Sequence, residues 1–309
     1  MKRLCLPLLL LSCGWRFAMA DALQLKTNDI VAFVGGADVV ARVRTGHLES
    51  LLAVRYPTVR FRNFGWEGDT VFAQPRDVGF PSLEEHLLKA GASVIVVQFG
   101  RSESLSGTNQ LPVFRMAYRT LLRDFLRVTS RLILVTPVPF ENGGGLLPNL
   151  ALRNGDLEQF AENIRSVGAE LHLPVIDLFQ ALKDSRKRFT DDGLQLTPEG
   201  QAIVAKAFAT QIGLSDVAKA AGEIEKNAQW SNPTFEQLRQ AVIAKNRLWF
   251  NYWRPQNWAF LGGDRTEQPS SRDHINPKIR WFPAEMEKYP ALIERKEKEI
   301  AQLAGPAGK

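Results

Sequence analysis

Apolar and polar positions alternate in blocks along the chain, and the blocks predict strands and helices in turn. Ile30 to Val34 is apolar without interruption and stops at Gly35-Gly36-Ala37-Asp38, where a helical pattern begins, so it reads as a first strand feeding a helix. A strand that ends on small residues leaves a backbone corner at the carboxyl edge of a sheet, where open α/β folds hold ligands. Val39 to Arg55 has helical spacing, Thr58 to Phe64 alternates as a strand, and Leu83 to Ala90 is helical again. Ala92 to Phe99 is nearly continuous in apolar residues, as a central strand covered on both faces must be. A helix over Phe114 to Thr129, a strand over Arg131 to Pro137, a helix over Asp156 to Leu171, a short strand over Pro174 to Asp177 and a helix over Thr197 to Ile212 follow. Thr197 caps that last helix and Pro198 opens it. The glycine- and proline-rich stretch Val138 to Pro148 reads as a loop on the carboxyl edge, forming a rim. Strands alternating with helices predict an α/β fold with a doubly wound parallel five-stranded sheet, spanning residues 21–215.

From about residue 216 the pattern becomes helical. Asn232-Pro-Thr-Phe-Glu236 reads as a cap, Glu236 to Trp249 as an amphipathic helix, and Ala284 to Leu303 as a final helix. Between them lies an irregular stretch dense in aromatics, including Trp249, Trp253, Trp258 and Trp281. These side chains serve either to pack the extension 216–309 on the main domain or to form a sugar-stacking platform.

Composition adds little that the pattern lacks. A 309-residue chain with 45% hydrophobic and 23% charged residues can bury an ample core without disulfides or metal. Residues 1–20 read as an export signal: Lys2 and Arg3 precede the apolar run Leu4 to Leu11, and Ala18-Met19-Ala20 offers a cleavage site. Leu10-Leu11-Ser12-Cys13 also resembles a lipobox, which would leave Cys13 lipidated, and the run is too short to span a membrane. Both cysteines, Cys5 and Cys13, fall in this segment, which excludes thiol chemistry and disulfides in the mature chain. The formal charge is +6, or +3 once Lys2, Arg3 and Arg16 are removed, and basic residues are interleaved with acidic ones, which argues against nucleic acid as a partner. The expected ligand is a small molecule or carbohydrate, with no cofactor and no metal.

Four segments resemble the blocks of the SGNH (GDSL-type) hydrolase family of esterases and lipases. They are Phe33-Val-Gly-Gly-Ala37, Asn63-Phe-Gly-Trp-Glu-Gly-Asp-Thr70, Phe99-Gly-Arg-Ser-Glu103 and Asp192-Gly-Leu-Gln195-Leu-Thr-Pro-Glu-Gly200. The stretch Lys245 to Asn257 also resembles an extension on exported SGNH-like proteins of planctomycete-type bacteria. The resemblance implies a flavodoxin-like sheet and an ester hydrolase site. In such enzymes a serine after the first strand attacks the carbonyl, and a histidine three residues beyond an aspartate is its base. A block-two glycine and a block-three asparagine help hold the oxyanion. Those roles map onto Ala37, Gln195, Asp192, Gly68 and Ser102; only Gly68 and Asp192 match.

Ala37 carries no nucleophile, Gln195 cannot cycle a proton near neutral pH, and Ser102 is shorter than an asparagine. Loss of nucleophile and base together leaves ~10³ of rate advantage from residual oxyanion and binding effects. The residues expected to line a ligand site are Gly36, Ala37, Trp66, Arg101, Ser102, Glu103 and Gln195. Trp66 either stacks on a sugar or closes the core. Arg101 either clamps an anionic group or pairs with Glu67, Asp69 or Glu103. Substitute chemistry would draw on Asp38, Thr70, Ser102 and Ser104, or on a carboxylate pair among Glu67, Asp69, Glu103 and Asp192. Of His47, His86, His172 and His274, only His47 and His274 are placed to approach the rim. Three functions stay open: a degenerate esterase-fold protein that binds without hydrolysing, an active hydrolase with relocated groups, and an interaction module using the aromatic extension.

Overall fold

The computed structural model describes residues 23–307, so the segment expected to be an export signal, with Cys5 and Cys13, lies outside the described residues. Five parallel strands form one sheet in the order β2-β1-β3-β4-β5, with β1 at Ile30–Gly35, β2 at Arg60–Asn63, β3 at Val94–Gln98, β4 at Leu132–Val135 and β5 at Val175–Ile176. The helices of this part are α1 (Ala37–Thr45), α2 (His47–Arg55), α3 (Leu83–Ala90), α4 (Arg101–Ser104), α5 (Leu111–Val128), α6 (Asn154–Glu170), α7 (Leu178–Leu182) and α8 (Pro198–Gln211). The extension adds α9 (Ser215–Ala220), α10 (Pro233–Trp253), α11 (Trp258–Leu261), α12 (Trp281–Met286) and α13 (Tyr289–Ala307). Among the described residues no helix is long and apolar enough to cross a membrane.

Strand side chains alternate between two buried layers, as the period of two requires. Val31, Phe33, Val94, Val96, Ile133 and Val135 pack with Val39, Leu48, Leu51 and Phe208 on one face. Ala32, Val34, Ile95, Val97 and Leu134 pack with Leu87, Phe114, Leu122, Phe160 and Ile164 on the other. The apolar helix expected over Val39 to Arg55 is in fact two, because Gly46 takes φ 66° and serves as both the carboxyl cap of α1 and the amino cap of α2. The final helix likewise divides into α12 and α13, and the short α7 follows Asp177, whose carboxylate accepts from the Gln180 N–H.

The edge of the sheet explains why the extension folds where it does. In a parallel edge strand, alternate residues aim both backbone groups away from the neighbour, and on β2 the carbonyls of Phe61 and Asn63 face outward. Two side chains of α10 meet them: Lys245 Nζ donates to Phe61 O at 2.9 Å, and Trp249 Nε1 donates to Asn63 O at 2.9 Å. Four helical residues rise about 6 Å and two strand residues about 6.6 Å, so one helix face matches the strand's repeat. Lys245, 1% exposed, also pairs with Glu49 at 2.6 Å, and Trp249 meets Phe64 edge-on at 5.3 Å.

Candidate functional site

The chain order reverses between β1 and β3, and the crevice outside the carboxyl ends of these strands is where wound sheets hold ligands. A cleft of about 320 Å³ lies there. From α1 it takes Ala37, Val40, Ala41 and Arg44, which share one helical face by their spacing. The loop after β2 contributes Glu67 and Asp69, the end of β3 contributes Gln98 and Phe99, and α4 contributes Arg101, Ser102 and Glu103. Pro137 and the segment Leu194–Leu196 complete the wall. Close backbone approach shapes the corner: a Cβ on Gly35 would lie 2.3 Å from Gln98 O, and one on Gly65 would lie 2.7 Å from Val40 N.

Six of the seven expected ligand-site residues line this cleft, namely Gly36, Ala37, Arg101, Ser102, Glu103 and Gln195. Ala37, Ser102 and Gln195 are exposed. Gly68 sits between two lining residues without lining the cleft itself, and a Cβ there would meet only Pro75 Cγ at 3.8 Å. Asp192 does not line the cleft. Its Oδ1 accepts from the N–H groups of Leu194 and Gln195 at 2.8 and 2.6 Å. Partial desolvation opposes ionisation, but those N–H groups prevail and hold its carboxyl below the usual range. Of the loop expected to form a rim, Val138 to Pro148, no residue lines the cleft, and Glu141 and Gly143 pack on the Asp192 segment instead; only Pro137, just ahead of it, reaches the wall.

Several expectations need correction. Trp66 does not line the cleft: its ring is held between the guanidinium groups of Arg254, at 3.7 Å, and Arg76, at 4.3 Å, with Phe80 and Trp253 at its edges. Arg101 pairs with none of Glu67, Asp69 or Glu103. Its Nη1 donates to Asp38 Oδ1 at 2.8 Å and its Nη2 to Pro139 O at 3.1 Å, because Asp38 on the first turn of α1 faces it across the cleft. His47 is 1% exposed and bonds Ala228 O at 2.7 Å, and burial lowers its pKa to about 4. His86 lies among Phe64, Phe80 and Trp253, with its pKa also lowered by burial to about 4. Neither these nor His172 and His274 line the cleft.

Of the groups named above as substitutes, Ser102 is exposed in the cleft and the others are held by partners. Thr70 Oγ1 accepts from the N–H groups of Phe72 and Ala73 in its own turn, and the buried Ser104 hydroxyl donates to Arg101 O at 2.8 Å. Glu103 accepts from Val71 N at one oxygen and Gly100 N at the other, both at 2.9 Å. Burial raises its pKa despite these bonds. Asp69 is gripped at both oxygens by Arg76, at 2.6 and 2.8 Å, and burial raises its pKa as well. Among the described residues no cluster of acidic, histidine or cysteine side chains is arranged to hold a metal.

Residues that pattern reading passed over include Arg44, which its spacing from Ala37 on α1 could have indicated, and Gln98, a polar residue closing an apolar strand. Arg254, by contrast, reaches the site from 187 positions away and left no local signal.

A wound parallel sheet whose cleft is assembled from the corner after β1, the loops after β2 and β3 and a segment just ahead of α8 has the frame of an SGNH-type hydrolase. Residues 28–203 match the GDSL-like lipase/acylhydrolase family, and the chain belongs to it. Among solved structures it is similar to BT4096, a gut microbial diltiazem-metabolizing enzyme, with 12% identity, a TM-score of 0.55, and coverage of 94% of this chain and 96% of that one. It is also similar to Axe2, an acetylxylan esterase from Geobacillus stearothermophilus (20% identity, TM-score 0.46, 61% of this chain and 97% of that one). A third is LAE5, an alpha/beta hydrolase enzyme from the metagenome of Lake Arreo, Spain (14% identity, TM-score 0.47, 62% and 97%). No curated protein matches.

Proposed function

We propose that this chain is an exported SGNH-fold protein that binds a carbohydrate or acyl-ester ligand in the cleft after β1 and hydrolyses it weakly or not at all. One observation carries the reading: a methyl group, a short hydroxyl and a carboxamide occupy the cleft at Ala37, Ser102 and Gln195, and no imidazole lines it. Attack on an ester needs a nucleophile within reach of a base, and the one hydroxyl among the lining residues, Ser102, has no imidazole in the cleft to serve it. The commitments of Thr70, Ser104, Glu103 and Asp69 to turns, caps and ion pairs weigh against relocated chemistry. The frame that remains is suited to holding a ligand: Asp192 still orders the Gln195 segment, and Ser102 and Gln195 present exposed polar groups.

The test is a fluorophosphonate probe together with aryl acetate turnover. The protein is expected to show no labelling and at most a slow turnover that no single cleft substitution abolishes, whereas the triple variant Ala37→Ser, Ser102→Asn, Gln195→His gains labelling and faster turnover in the same fold. Turnover by the unaltered protein that a single cleft substitution abolishes would overturn the reading.

A further inference from the structure

We propose that Arg254, the residue that caps α10, positions the cleft wall made by Glu67 and Asp69, so that the carboxyl-terminal extension is a working part of the ligand site. The inference rests on the cleft being that site. Its geometric basis is a hub at Trp66. Arg254 lies over the indole at 3.7 Å and reaches past it to Glu67, Nη1 to Oε2 at 2.6 Å. Arg76 approaches the same indole at 4.3 Å and grips both oxygens of Asp69. Each wall carboxylate is therefore held by a cation that is itself stacked on Trp66, and one of those cations belongs to the extension. A guanidinium suits this role because its plane can lie on an aromatic face while its N–H edge serves a carboxylate.

The rest of the loop after β2 is bound to the extension as well. Trp253 meets both Phe64 and Trp66 edge-on, Trp258 Nε1 donates to Val78 O at 3.0 Å, and a Cβ on Gly79 would lie 3.0 Å from Gly262 O. Glu67 is already half exposed, and without Arg254 it loses its ion pair on the wall it shares with Arg44. The prediction is a wall that loosens locally while the sheet stays intact.

The experiment uses the full chain with Cys5→Ser, Cys13→Ser and Ala37→Cys, which places a lone thiol in the cleft. Its alkylation by uncharged iodoacetamide, and the hydrogen exchange of amides 66–76, are compared in Arg254→Met and Arg254→Lys versions. Loss of this partly exposed cation–π contact and its ion pair is expected to speed both readouts about fivefold in Arg254→Met. Arg254→Lys, which keeps a charge for Glu67, recovers part of the difference, and exchange in β1 and β3 stays at the parent rate. If Arg254→Met does not fold, Glu67→Gln removes the same pair from the other side and is expected to speed both readouts. Parent-like rates in the folded variant, or acceleration spread equally over β1 and β3, would overturn the proposal. Neither readout needs a ligand, so a protein that binds no sugar or ester defeats the proposed function separately.

Discussion

The two ends of β2 use polar groups in opposite ways. Along its outer edge, polar side chains of the extension are spent on backbone: Lys245 and Trp249 donate to the outward carbonyls of Phe61 and Asn63, and Lys245 also neutralises the buried Glu49. Beyond its carboxyl end, in the cleft, Ala37, Ser102 and Gln195 are exposed and form no chain of partners leading from a nucleophile to a base. Asp38, Arg101, Glu103 and Asp69, which line the same cleft, are held in ion pairs and loop caps. The difference teaches that the edge of the sheet is held by contacts that do not involve the cleft's side chains, so its packing does not depend on what stands at residues 37, 102 and 195.

The largest expected effect tests the edge. Lys245→Ala leaves Glu49 buried without its cation and Phe61 O without its donor, and is expected to cost about 3–5 kcal/mol in urea unfolding. A cost comparable to that of an exposed pair would show that the edge does not hold the extension in place.

Acidification gives the next effect. The His47 imidazole, bonded to Ala228 O and edge-on to Trp230, has its pKa lowered from 6.5 to about 4, chiefly by burial. The unfolded chain therefore binds the proton more readily. Stability is complete above about pH 6.5 and is lost as pH falls toward about 4, by about 3 kcal/mol for this group. His86 adds a loss of the same sign. Unfolding midpoints measured across this range should flatten in His47→Gln; an unchanged slope would remove His47 from the account.

The smallest effects separate two glycines near the cleft. Gly35→Ala places a Cβ 2.3 Å from Gln98 O and 2.6 Å from Val39 Cγ2, and is expected to cost about 1–3 kcal/mol. Gly68→Ala meets only Pro75 Cγ at 3.8 Å and is expected to stay within about 0.5 kcal/mol. Equal costs in thermal unfolding would contradict the tight corner after β1.

Much of the frame was legible because it depends on local pattern. The apolar runs of β1, β3 and β4, the cap at Thr197 and the proline at 198 mark their elements without reference to distant residues. The break at Gly46 was less visible, since apolar spacing continues across it and only a positive φ divides the helix. Ala37, Ser102 and Gln195 were legible as departures once the four blocks were aligned, and the cleft gathers all three. The roles of Trp66 and Arg101 were not, because each depended on which oppositely charged or flat partner lay across the fold.

By itself the sequence determined where most strands and helices form and that an alanine, a serine and a glutamine stand at positions 37, 102 and 195, since periodicity, capping and residue identity are local properties. Only the tertiary structure decided that Arg101 takes Asp38, that Trp66 is enclosed by Arg254 and Arg76, and that Lys245 completes the edge of β2. The first and third choices join residues 63 and 184 positions apart, and in the second the guanidinium over Trp66 also takes Glu67 from 187 positions away. Among many arginines, lysines and carboxylates of equal local standing, it is packing that selects the partner.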